Sequence, residues 1–97
     1  MNYIKVEWTH SFATEPVLLF SELDKDRWEI RKVEVYRDGH CEFADAKESF
    51  GSAMLSKVPI PPLSEIATDP QFDPMEITRD EFEIAWTERR GNTSQKR

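Results

Sequence analysis

Residues 3–8 alternate with a period of two. Ile4, Val6 and Trp8 fall on one side, and Tyr3, Lys5 and Glu7 on the other. A helix repeats about every 3.6 residues, so this spacing describes a strand with one buried face. An opening strand commits the chain to a sheet, because its backbone donors and acceptors need partners.

The partners follow at once. Residues 17–23 begin as the unbroken apolar run Val17-Leu18-Leu19-Phe20 and soften at Ser21 and Glu22, which suits a central strand covered on both faces near its start. After the polar turn Asp24-Lys25-Asp26-Arg27, residues 28–36 form a third strand whose phase slips. Trp28 and Ile30 share one phase, Val33 and Val35 the other, so a β-bulge near Arg31-Lys32 is needed to bring both pairs to the core. Arg37-Asp38-Gly39 is the clearest turn. A three-residue loop sets Val35 opposite Cys41 and Val33 opposite Phe43, whereas a two-residue loop sets Val35 against Glu42. Burial selects the longer loop, with Gly39 in the left-handed region.

Beyond it the pattern thins. Residues 50–58 suggest another strand, broken by Gly51, and Pro59, Pro61 and Pro62 end sheet pairing. Pro62 also opens a short helix over residues 63–68, halted at Asp69-Pro70. Thr78-Arg79-Asp80-Glu81 is a capping box. Ile77 before it can staple onto Phe82, and Phe82, Ala85, Trp86 and Arg89 recur at helical spacing up to Gly91. Strands first and a helix last predict an α+β fold: an antiparallel β-sheet of four to five strands with the C-terminal helix packed on one face. Residues 1–91 are read as a single domain and residues 92–97 as a disordered tail. Trp8, Trp28 and Trp86 are expected to meet between sheet and helix.

The net charge is -6 and the pI about 4.9. This excludes a phosphate-backbone binder or a protein docked on an anionic membrane, and it makes a basic protein the natural complement. Cys41 is alone, so no intramolecular disulfide can form. The first residues lack the apolar region of a signal peptide, and no run approaches the ~18 apolar residues of a membrane span. A cytoplasmic location is expected.

Chemistry is sparse. His10 and His40 have no partner at ligand spacing and read as solvated loop residues; Cys41 reads as a half-buried core residue. Gly39, Gly51 and Gly91 are isolated, so no phosphate cradle exists. No catalytic residue, metal ligand or cofactor site is assigned, and the chain is expected not to be an enzyme. The acids form two groups. Glu22, Asp24 and Asp26 surround the second turn. Glu65, Asp69, Asp73 and Glu76 precede the last helix, where residues 61–88 hold eight carboxylates and one base, Arg79. Phe72, placed in a loop among these acids, has the composition of an interface anchor. These eight residues are the candidate partner-binding set.

The segments Tyr3-Ile4-Lys5-Val6-Glu7-Trp8, Pro16-Val17-Leu18-Leu19-Phe20-Ser21-Glu22-Leu23-Asp24, Arg27-Trp28-Glu29-Ile30-Arg31-Lys32-Val33-Glu34 and Arg37-Asp38-Gly39 resemble a family of small bacterial proteins of unknown function. So do Val58-Pro59-Ile60-Pro61-Pro62-Leu63, Asp69-Pro70-Gln71-Phe72 and residues 77–86. Small acidic proteins of this kind resemble the immunity proteins of polymorphic toxin and contact-dependent growth inhibition systems. The resemblance implies a monomer that neutralises a cognate basic toxin domain, a nuclease, in a 1:1 complex. It transfers no catalytic or contact residue. The alternative is a small-molecule-binding or regulatory domain whose pocket the tryptophans line.

Overall fold

Backbone pairing starts with β1 (Asn2–Trp8), which lies between β2 (Leu18–Leu23) and a strand from far along the chain, β6 (Phe72–Ile77). The other elements are β3 (Glu29–Val35), β4 (Cys41–Ala44), β5 (Ser49–Phe50), a one-turn helix α1 (Leu63–Ile66) and the C-terminal helix α2 (Arg79–Glu88). The computed structural model describes residues 1–90; the tail assigned to residues 92–97 lies outside them. Among the described residues the sheet has six antiparallel strands in the order β5-β4-β3-β2-β1-β6.

The alternation in β1 holds for Ile4 and Val6, which join Leu23 in one core cluster, against which Leu19, Ile60, Leu63, Ile66 and Phe72 pack. The other side is not open as expected throughout, because Tyr3 is also buried, against Phe82 of α2. The opposite face carries Val33, Cys41 and Phe43, with Phe20, Val35 and Trp86 against them. The Arg37–Gly39 loop has the expected register, with Val35 opposite Cys41, Val33 opposite Phe43, and Gly39 at φ 93°. The bulge falls one residue earlier than expected. Glu22 faces Arg31 while Leu23 faces Glu29, which makes Ile30 the extra residue. This register places Arg31 where it can neutralise Glu22.

Helix α2 starts as its sequence requires. The Thr78 hydroxyl accepts from the Glu81 amide at 3.1 Å, and the Glu81 carboxylate accepts from the Thr78 amide at 2.8 Å. Phe82, fully buried, reaches the Tyr3 ring, and Trp86 meets Phe43 edge to face. The other sheet face is covered by irregular chain, residues 51–71, with α1 within it. Arg27 holds this cover. Its guanidinium donates to the carbonyls of Ile60 and Pro61, each at 2.7 Å, and its own carbonyl accepts from the Ile60 amide at 2.8 Å. Arg27 does so at φ 69°, a left-handed conformation unfavourable for a long side chain.

Three expectations are corrected. Only Ser49 and Phe50 of the fourth-hairpin region pair with β4; the chain then turns at Gly51, φ 75°, where a Cβ would collide with the Glu42 side chain. The segment assigned to residues 50–58 is therefore mostly not a strand. Phe72 lies in β6 rather than in a loop, which supplies the sixth strand. The three tryptophans do not converge: Trp8 contacts Phe72 and His10 on the face away from α2, and Trp28 is exposed. Trp8 follows the phase of Ile4 and Val6, and that phase decides its face.

Strand β6 is an edge, and Pro74 stands within it opposite Val6. A proline fits there only where the missing donor would have pointed away from β1.

Candidate functional site

The eight candidate residues separate by what their side chains already hold. Glu22 is buried, accepting from the Tyr3 hydroxyl at 3.0 Å and from Arg31 Nε at 2.6 Å. Asp24 Oδ1 accepts from the amides of Asp26 and Trp28, both at 2.9 Å, and Asp69 Oδ1 accepts from the Gln71 amide at 2.9 Å. These two carboxylates shape turns. Asp26, Glu65, Asp73 and Glu76 are exposed, and their side chains make no hydrogen bond or ion pair with another described residue. Phe72 is half-buried, its ring 5.6 Å from that of Trp8, and is part of the core rather than a free anchor.

The bases behave differently. Every described arginine is engaged with the protein itself. Arg27 clamps two carbonyls, Arg37 donates to the His10 carbonyl at 2.8 Å, and Arg79 lies 3.9 Å from Glu83. Arg89 stacks 3.7 Å over Trp86, and Arg90 pairs with Glu48 at 2.7 Å. Arg31 bridges Glu22 and Glu83 above the rings of Phe82 and Trp86. Burial alone would lower its pKa, but the hydrogen bonds to the two glutamates outweigh it and hold the guanidinium charged; the bond from Arg31 in turn lowers the pKa of Glu83. The lysines Lys5, Lys25, Lys47 and Lys57 are without an ion pair to a described residue. On the acidic side Glu7, Glu15, Asp26, Glu65, Asp73, Glu76, Asp80 and Glu88 are in that state. The outward field of the domain is therefore negative.

Strand register gathers some of these acids beside apolar surface. On the α2 face one row crosses the sheet as Asp73, Glu7, Leu18, Val35 and Cys41. Glu7 and Asp73 stand directly opposite each other, a like-charge pair that costs stability. Helix α2 covers Val33 and Phe43 but leaves a groove of about 230 Å³ along its flank. Leu18, Phe20, Val35 and Cys41 line its floor, Ile84 and Ala85 its wall, and Glu81 and Glu88 its rim. Ile84 is 58% exposed. Neither Ile84 nor Glu7 was in the sequence-derived set. The signal for Ile84 was present, since it falls out of phase with Phe82, Ala85 and Trp86.

A second concavity, about 470 Å³, lies on the other face beneath residues 56–66. Ile4, Val6, Leu19, Ile60, Ile66 and Phe72 line it, together with Glu29 and Lys32. The Glu29 carboxylate accepts from Ser21 Oγ at 2.6 Å and from the Ser56 amide at 2.8 Å.

The histidines are not simply solvated. His10 Nδ1 accepts from the Phe12 amide at 2.9 Å, and its ring lies 4.3 Å from that of Trp8. His40 sits between Asp38 and Glu42, stacked on Tyr36. Burial pushes the Tyr36 hydroxyl up to about 12, with Glu34 and Glu42 adding to the shift. Cys41 is buried in the core cluster. Among the described residues no group of three or more His, Cys, Asp or Glu side chains could hold a metal ion, and no helix is long and apolar enough to cross a membrane.

These features define a small acidic α+β domain whose described arginines are engaged within the protein and a block of whose carboxylates is turned outward. The chain belongs to the DUF6881 family, a domain of unknown function, which matches residues 2–91. Neither a curated protein nor a solved structure matches the chain.

Proposed function

We propose that this protein is a non-enzymatic binding module that captures and neutralises a basic protein, acting as the immunity protein of a polymorphic toxin or contact-dependent growth inhibition system. The cognate toxin domain is a nuclease, bound 1:1 in the cytoplasm. The observation that carries this reading is the uneven use of charge: every described arginine has a partner within the protein, while Glu7, Asp26, Glu65, Asp73, Glu76, Asp80 and Glu88 face solvent without a described partner and outnumber the lysines in that state, Lys5, Lys25, Lys47 and Lys57. A nuclease cleft must attract a polyanion, so it is basic, and an acidic domain complements it by presenting carboxylates where phosphates would lie. Close charge pairs across such an interface couple by roughly 1.5–7 kcal/mol and accelerate encounter, an effect that salt weakens.

The test is co-purification of the tagged protein with the product of the adjacent gene, followed by a nuclease assay and calorimetry across a salt series. A stoichiometric complex with suppressed nuclease activity supports the proposal. Recovery of the protein alone, with the neighbour expressed, defeats it. The 470 Å³ concavity favours a second reading, a small-molecule-binding domain. Because Trp8 packs on Phe72, a wall of that concavity, ligand entry there should change tryptophan fluorescence and raise the melting temperature.

A further inference from the structure

We infer that the groove along α2 is the seat for one apolar side chain of a partner segment whose neighbouring residues are lysines or arginines. The inference rests on the reading of the chain as a module for a basic protein, and it names the part of that partner which docks. Three features support it. First, Ile84 is exposed on a helix whose other outward residues are Arg79, Asp80, Glu81, Thr87 and Glu88, with Arg79 at the helix start and absent from the groove lining. It lies beside the half-buried Leu18, Phe20 and Val35, so the apolar surface continues from helix to sheet. Second, about 230 Å³ is below the roughly 300–1,000 Å³ of small-molecule pockets and suits a single side chain. Third, acids stand beside the groove on both sides. Glu88 on the helix rim has no ion pair to a described residue, and in the sheet row that forms the floor Glu7, next to Leu18, stands opposite Asp73, a like-charge pair that a partner's cation would relieve; Lys5, opposite Phe20, is the base on that stretch of β1. A second copy of this chain would bring a net charge of -6 against those acids, which disfavours self-association there.

The probes are two fluorescein-labelled synthetic peptides of equal charge, one alternating lysine with leucine and one with every leucine replaced by serine. Fluorescence polarisation is read at low and at physiological salt. The leucine peptide should bind about tenfold or more tightly than the serine peptide. Ile84→Asp and, separately, Leu18→Asp should each remove that preference. Glu65→Lys with Glu76→Lys should lower the affinity of both peptides to the same small extent and keep the preference. Ile84 is exposed, so its variant should keep the wild-type circular dichroism and melting temperature. Equal binding of both peptides, or an unchanged preference in Ile84→Asp, overturns the groove assignment and leaves the basic-partner reading standing. No binding of either peptide at low salt overturns both. A concentration-dependent dimer in sedimentation that Ile84→Asp abolishes also overturns it, in favour of a second copy.

Discussion

The two faces of the sheet are covered in opposite ways. On one, α2 supplies a regular element with its own start signal, and two aromatic residues, Phe82 and Trp86, make the contact. On the other, residues 51–71 form one short turn of helix, and polar clamps reaching from β3 and the turn before it hold them: Arg27 on the Ile60 and Pro61 carbonyls, Glu29 on the Ser56 amide. The first cover is specified locally and stabilised by apolar area. The second is specified at a distance: Ile60, Leu63 and Ile66 pack on the sheet, but a few directed bonds fix the path of the chain. A cover of the second kind should open separately from the sheet, because it lacks the cooperative ladder of a long helix.

Substitutions can break this contrast or sharpen it. Phe82→Ala should have the largest effect, about 3–5 kcal/mol of global stability lost, because the side chain is wholly buried. Urea unfolding should remain one transition with an unchanged slope. Arg27→Ala should cost about 1.5–3 kcal/mol through two charge-assisted bonds. Hydrogen exchange should then accelerate first over residues 56–62, with α2 still protected; uniform loss of protection would erase the distinction between the two covers. Thr78→Ala removes one side of the capping box and should cost about 1 kcal/mol, confined to the start of α2 and readable by thermal melting.

The smallest effect is a pH dependence at His40. Burial alone would lower its pKa, but hydrogen bonds with Asp38 and Glu42 outweigh burial and raise it. The imidazolium therefore contributes stability that is fully present below its unfolded value, near ~6.5, and is lost as pH rises through the folded value. Asp38, lowered first by the His40 amide and then by its ring, acts in the opposite sense: its contribution is lost as pH falls through its folded value. The stability gap between wild type and His40→Ala should be widest between the two and narrow on either side. A gap independent of pH would show that the His40 ring acts only by stacking on Tyr36.

Strand β1 was legible by its alternation, β2 by its unbroken apolar run, β3 and β4 by the register that the turn Arg37-Asp38-Gly39 fixes between them, and α2 because a capping box needs only four adjacent residues. Strand β6 was not. Its proline and its acids imitate a loop, and an edge strand with one neighbour needs little alternation. The cover over residues 51–71 was illegible for another reason, since Arg27 meets its carbonyls more than thirty residues away. Among the candidate residues, Glu22, Asp24 and Asp26 look alike as letters. What separates them is register: Glu22 falls opposite Arg31 and is consumed, Asp24 closes a turn, and Asp26 is left in solvent. Ile84 broke the helical phase, but a single misplaced aliphatic becomes a feature only when Leu18 and Val35 are seen beside it.

Pro74 has a consequence for the life of the protein at high concentration. A sheet with an open edge is a template on which an identical strand can stack, and fibril growth needs a hydrogen bond at every rung. At the middle of β6 the incoming carbonyl meets a pyrrolidine ring, and Asp73 and Glu76 on either side repel their own copies. Each molecule can therefore leave that flank of its sheet in water without seeding a fibril.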